Sequence, residues 1–190
     1  MIKLKKIHTV SNYLSFLRII LVFPMIYFLS NLEQSYSFRI YSVLLMFAAA
    51  VTDYLDGYFA RKFDEVSELG KIIDPLADKI AVGLITVYLF LLNEIPDYLF
   101  YLIIARDVLI FIGGSYVSNK VGKVLPSNML GKITVFVIGL YLVAVVLGVA
   151  NVRWLNTLLI AMVIIMSLLS LAGYIIRGIE VLRYKKNESL

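Results

Sequence analysis

Apolar residues fill most of this chain, broken at short polar intervals, and that pattern predicts six long helices. They are expected at roughly 10–30, 37–61, 70–92, 97–118, 131–150 and 153–182. The breaks fall at Ser30-Asn31-Leu32-Glu33-Gln34-Ser35, at Asn93-Glu94-Ile95-Pro96-Asp97, across 119–128 with its Pro126, and at Asn151-Val152-Arg153. Each is rich in the Asn, Ser, Pro and acidic residues that stop apolar runs. A helix takes about 20 residues to cross the hydrocarbon core of a bilayer. Six apolar runs of about that length therefore predict an all-α polytopic membrane protein with six transmembrane helices.

Composition agrees with the pattern. Of 190 residues, 61% are hydrophobic and 16% charged, and mean hydropathy is +0.90. A soluble domain is nearer half apolar, so no separate soluble domain is expected and residues 1–190 read as one membrane domain. There is no cysteine, which excludes disulfides and thiolate metal sites. The start, Met1-Ile2-Lys3-Leu4-Lys5-Lys6, superficially resembles a secretory signal. No small-residue cleavage pattern follows, so a retained first helix with a basic lead-in is expected.

The net charge of +5 is better read through membrane topology than through an acidic partner, and no nucleic-acid partner is expected. Lys3, Lys5, Lys6, Arg61, Lys62, Lys71, Lys120, Lys123, Lys132, Arg183, Lys185 and Lys186 all fall on one side of the six-helix plan. Arg39 and Arg153 are the clear candidates for the other. Lys and Arg gather in cytoplasmic loops, so both termini are expected in the cytoplasm.

The chemistry is concentrated in 52–79, TDYLDGYFARKFDEVSELGKIIDPLADK. Asp53 and Asp56 are three apart, and Asp74 and Asp78 are four apart, so each pair shares a helix face. The short polar stretch between the pairs predicts antiparallel neighbours, with the four carboxylates converging. Ionisable groups in such helices are costly and usually face a cavity for a reason. A single intramembrane Asp is often only a hydrogen-bond partner or a proton relay; four at this spacing are not. Gathered in a poorly hydrated cavity, they would take up protons unless a cation neutralised them. Oxygen ligands without His or Cys nearby suit Mg²⁺, Mn²⁺ or Ca²⁺ rather than zinc. Four Asp can hold two such ions, an arrangement suited to clamping a pyrophosphate. Gly57 and Ala60 lie on the same broad face as the first pair and would let a bulky substrate approach the backbone. Arg61, one turn after Gly57, supplies a donor for phosphate.

Other polar residues have plainer readings. His8 reads as interfacial or solvated, Trp154 and the many Tyr as an aromatic belt, and Asp64, Glu65 and Glu68 as a solvated loop face. A small cation or proton transporter is the rival reading for the carboxylates. It lacks an inverted repeat and paired broken helices, and it does not explain why Gly57, Ala60 and Arg61 interleave with the acids.

The spacing Asp53-x-x-Asp56-Gly57-x-x-Ala60-Arg61, eight residues, Gly70-x-x-x-Asp74-x-x-x-Asp78 resembles the full signature of the CDP-alcohol phosphotransferases. The lead-in Ser11-Asn12-Tyr13-Leu14-Ser15-Phe16-Leu17-Arg18 also resembles the Pro-Asn-x-Leu-Thr-x-x-Arg start of bacterial members, with Ser11 for Pro and Ser15 for Thr. The resemblance implies a homodimer of six-helix protomers, each with a polar cavity open to the cytoplasmic interface of the cell membrane. It implies two Mg²⁺ or Mn²⁺ ions per protomer, one held by Asp53, Asp56 and Asp74 and the other by Asp53, Asp74 and Asp78. Asp78 would also be the general base on the acceptor hydroxyl. Gly57, Ala60, Arg61, Ser67 and Gly70 would line the CDP pocket.

Within the family the look is closest to bacterial phosphatidylglycerophosphate synthases, which implies CDP-diacylglycerol as donor and a phosphorylated acceptor alcohol, glycerol 3-phosphate. Arg106 in the fourth helix, with Lys123 and Lys132 from the cytoplasmic side, would bind the acceptor's anionic group; the plainer reading of Arg106 is an ion pair with a buried aspartate. Arg106-Asp107-Val108 departs from the usual Arg-Glu-Phe and is similar to the cardiolipin synthases, whose acceptor is phosphatidylglycerol. Inositol phosphate is a third acceptor.

Overall fold

A computed structural model of the chain describes residues 10–62, 82–121 and 129–188. The described residues form six α-helices and no strand: α1 (Val10–Leu29), α2 (Tyr36–Lys62), α3 (Val82–Leu91), α4 (Asp97–Val121), α5 (Met129–Val146) and α6 (Arg153–Glu188). Four of them contain stretches long and apolar enough to cross a membrane: Tyr36–Phe59, Asp97–Val121, Met129–Val146 and Arg153–Arg183. The apolar parts of the other two, Phe16–Leu29 and Val82–Leu91, are shorter.

The helix ends follow from local chemistry. At the end of α1 the Ser30 hydroxyl donates to the Ile26 carbonyl at 2.8 Å, and Asn31 Nδ2 donates to the Tyr27 carbonyl at 2.7 Å. The Ile26 carbonyl also accepts from the Ser30 amide at 2.9 Å, so these side chains reinforce the last turn of the helix, where carbonyls run short of backbone partners. Ser35 caps α2, its Oγ accepting from the Ser37 amide at 3.3 Å. Asn93 takes a left-handed conformation (φ 58°) after α3, as Asn does when it closes a helix. Asp97 then opens α4 beside the positive end of the helix dipole.

Two boundaries differ from the sequence expectation. Helix α5 stops at Val146 rather than near 150, because Gly148 turns the chain with φ 80° and a 3₁₀ turn, Val149–Asn151, leads into α6. Helix α6 runs on to Glu188, with no Gly or Pro beyond Gly178 to stop it. At 1.5 Å per residue it is about 54 Å long, well beyond a hydrocarbon core of about 30 Å.

The chain divides into two compact units. The first takes 1–92 with 146–148 and is organised around α1 packed on α2. Val22, Met25 and Leu29 of α1, Met46 of α2 and Ile85 and Leu89 of α3 are among its buried apolar residues. The Ser30 hydroxyl and the Tyr88 hydroxyl are hydrogen-bonded, and Arg39 donates to the Val146 carbonyl at 2.9 Å. The second unit takes 93–145 with 149–190, and α4 packs on α6. There the Thr134 hydroxyl of α5 contacts the Met166 carbonyl of α6 at 3.0 Å, and Leu99, Ile103, Ile138, Leu142 and Val163 are buried. The outward surface is strongly apolar: Phe23, Phe47, Phe136 and Trp154 are each 67–72% exposed. Large apolar side chains facing outward from apolar helices suit a hydrocarbon solvent and not water.

Candidate active site

The candidate site is built on the last turns of α2, where the apolar helix meets its polar continuation. Asp53, Asp56, Gly57, Ala60 and Arg61 all belong to this one helix, so the motif's spacing becomes one broad helical face, as the sequence implies. Asp53 is 51% exposed. Among the described residues, a Cβ built on Gly57 meets nothing within 4 Å. Tyr58 and Lys62 mark the interfacial end of the helix, with the ammonium 5.6 Å from the ring centroid.

The feature that spacing alone does not reveal is the partner of Asp53. Arg18 of α1 reaches across to it, Nη1 lying 3.3 Å from Oδ1. The guanidinium side is 2% exposed. A buried charge without a partner is strongly unfavourable, so a guanidinium at this depth needs a counter-charge, and Asp53 is one. The sequence signal was a lone charge inside an apolar run.

The remaining predicted residues divide into two groups. The side chains of Asp56, Ala60 and Arg61, and all of Ser67, Gly70, Asp74, Asp78 and Lys123, lie outside the described residues. Arg106 and Lys132 are described and belong to the second unit. Arg106 is buried at 5% exposure, with Nη2 donating to Ser170 Oγ of α6 at 2.7 Å and Nη1 bonded to the carboxylate of its neighbour Asp107. Its Nε has no hydrogen-bond partner among the described residues. The Arg106 guanidinium is thus anchored on α4 and α6, with its carboxylate partner on its own helix. Lys132 is exposed on α5, beside Gly131, where an added Cβ would come within 3.1 Å of the Tyr174 ring. A cavity of about 170 Å³ in this unit, lined by Leu109, Gly113, Gly114, Tyr174 and Gly178, is apolar and carries no acid–base chemistry.

The donor chemistry fits a hard divalent cation. Asp53 offers carboxylate oxygens with half their surroundings open, backed on Oδ1 by a guanidinium, as ligating carboxylates commonly are. The chain has no cysteine and a single histidine, so a sulfur or nitrogen ligand set is not available to it.

Residues 8–177 match the family model described as CDP-alcohol phosphatidyltransferase. The chain belongs to the CDP-alcohol phosphatidyltransferase family. Among CDP-alcohol phosphatidyltransferases it is similar to a CDP-diacylglycerol–glycerol-3-phosphate 3-phosphatidyltransferase of Aquifex aeolicus, 34% identical over 181 residues, which is 91% of this chain and 97% of that protein. A Rickettsia typhi protein of the same name is 38% identical over 99 residues, 52% of this chain and 54% of the relative, so that match spans about half of each. A Schizosaccharomyces pombe cardiolipin synthase (CMP-forming) / mitochondrial hydrolase fusion protein is 37% identical over 116 residues, 61% of this chain and 19% of the fusion.

Proposed function

We propose that this chain transfers the phosphatidyl group of CDP-diacylglycerol to glycerol 3-phosphate and releases CMP. The observation that carries the reading is the similarity to the Aquifex aeolicus glycerol-3-phosphate 3-phosphatidyltransferase, which extends over nearly the whole of both chains. The four-carboxylate motif supplies the chemistry. Two Mg²⁺ or Mn²⁺ ions held by Asp53, Asp56, Asp74 and Asp78 would supply positive charge to the donor pyrophosphate and to the departing CMP oxygen.

The protein's own residues have distinct parts. Gly57, Ala60, Ser67 and Gly70 line the CDP pocket, and Arg61 donates to a donor phosphate. Asp78 accepts the proton of the acceptor hydroxyl. The hydroxyl oxygen then forms a bond to the lipid-linked phosphorus, the bridging P–O bond breaks, and CMP departs with that oxygen. Holding both substrates in line accounts for much of the rate. Arg106, Lys123 and Lys132 bind the phosphate of the acceptor.

The same reading places six spans around a polar cavity that opens to the cytoplasmic face, in a homodimer with both termini in the cytoplasm. The first carboxylates of the motif, Asp53 and Asp56, fall in the last turns of the apolar stretch Tyr36–Phe59. That depth suits a donor whose diacylglycerol tails stay in the bilayer while its pyrophosphate sits among the headgroups. A second acceptor, phosphatidylglycerol, is favoured by Arg106-Asp107-Val108 and by the Schizosaccharomyces pombe relative. The test is CMP release by purified protein given CDP-diacylglycerol with each acceptor in turn; release with none of them would overturn the proposal.

A further inference from the structure

The Arg18–Asp53 pair is asymmetric. The guanidinium is sealed in the first unit at 2% exposure, while the carboxylate it touches remains 51% exposed. Asp53 is therefore gripped from its protein side and open on the other. The contact is made on Oδ1, and a carboxylate oxygen has a second lone pair, so neither oxygen is lost to an incoming ligand. A solvent-facing ion pair between two mobile side chains would carry little information. This one joins α1 to α2 with the arginine fixed by burial.

We propose that Arg18 is a positioning residue for the metal-binding face of the site: it orients the Asp53 carboxylate so that the open side meets divalent cations. The inference rests on the reading of Asp53 as a metal ligand and adds to it the device that holds the ligand. Charge accounting agrees with it. Four carboxylates and the two negative charges of a pyrophosphate diester are matched by two divalent ions together with the guanidiniums of Arg18 and Arg61. Partners that orient a metal ligand from behind typically alter metal affinity 10–100-fold when removed. The competing account is that Arg18 is merely a cation occupying Asp53's place for metal. The two accounts predict opposite signs, because deleting a competing cation tightens metal binding and deleting an orienting partner weakens it.

The experiment is Mn²⁺ titration of the purified full-length protein without substrate, followed by the loss of the free Mn²⁺ electron paramagnetic resonance signal. Arg18→Gln should raise the Mn²⁺ dissociation constant by about 10–100-fold. Arg18→Lys, which keeps the charge in a side chain of similar reach, should fall between it and the native protein, and it carries the test if the glutamine variant does not fold. In an Asp53→Asn background, Arg18→Lys or Arg18→Gln should cause no further loss, since the effect passes through Asp53. Unchanged or tighter binding by the Arg18 variants, with normal binding by the native protein, overturns the positioning role alone. So does a loss that persists undiminished in the Asp53→Asn background. No Mn²⁺ binding by the native protein overturns the metal reading and this inference with it.

Discussion

Arg106 of α4 donates a 2.7 Å hydrogen bond from Nη2 to the hydroxyl of Ser170 on α6, and both side chains are buried. With Asp107 on Nη1, the bond fixes the plane of the guanidinium and leaves Nε without a hydrogen-bond partner among the described residues. A buried, oriented guanidinium with a donor to spare is suited to an anionic group on a substrate. Arg106→Ala is expected to raise the KM for glycerol 3-phosphate much more than that for CDP-diacylglycerol. Ser170→Ala strands a second buried N–H and should cost about 1–3 kcal/mol of stability, read by thermal unfolding in detergent. Equal rises in both KM values would take Arg106 out of the acceptor site.

Removal of metal is expected to abolish transfer, and Asp53→Asn and Asp74→Asn are expected to do the same, since each of these carboxylates would contact both ions. Asp78→Asn should separate binding from chemistry: donor binding persists while turnover falls by at least about 10²–10⁴-fold, the usual value of general-base catalysis. Steady-state rates with and without excess EDTA, beside equilibrium binding of the CDP donor, check both expectations. Undiminished turnover in EDTA would remove the two-metal reading.

The orientation is testable by chemistry at single positions. The chain has no cysteine, so one introduced at Lys186 or Lys123 reports cleanly. Both are expected to react with membrane-impermeant thiol reagents only when these reach the cytoplasmic face. Labelling from the outer face alone would invert the topology.

The helices were legible because long apolar runs admit few alternatives: six helices appear among the described residues, four of them with stretches long and apolar enough to cross a membrane. The end of α5 was misplaced although its signal was present: Gly148 adopts a conformation that other residues avoid, and it ends the apolar run's helix early. The far end of α6 was underestimated because Arg183, Lys185 and Lys186 look like a polar exit, yet none of them breaks a helix. In the site, Asp53 and Gly57 could be found from spacing because a helix converts spacing into a face. The partners could not. Arg18 and Arg106 stand out in sequence as charges within apolar helices, which states a need for partners without naming them. Asp53 and Ser170 answer that need only once α1 lies on α2 and α4 on α6.

The most direct test is acceptor choice under one set of conditions. Purified protein is given CDP-diacylglycerol and Mg²⁺, with glycerol 3-phosphate in one reaction and phosphatidylglycerol in another, and the lipid products are identified by mass spectrometry. Phosphatidylglycerophosphate, formed in step with CMP release in the first reaction, is the expected product. Cardiolipin from phosphatidylglycerol, with nothing formed from glycerol 3-phosphate, would contradict the account.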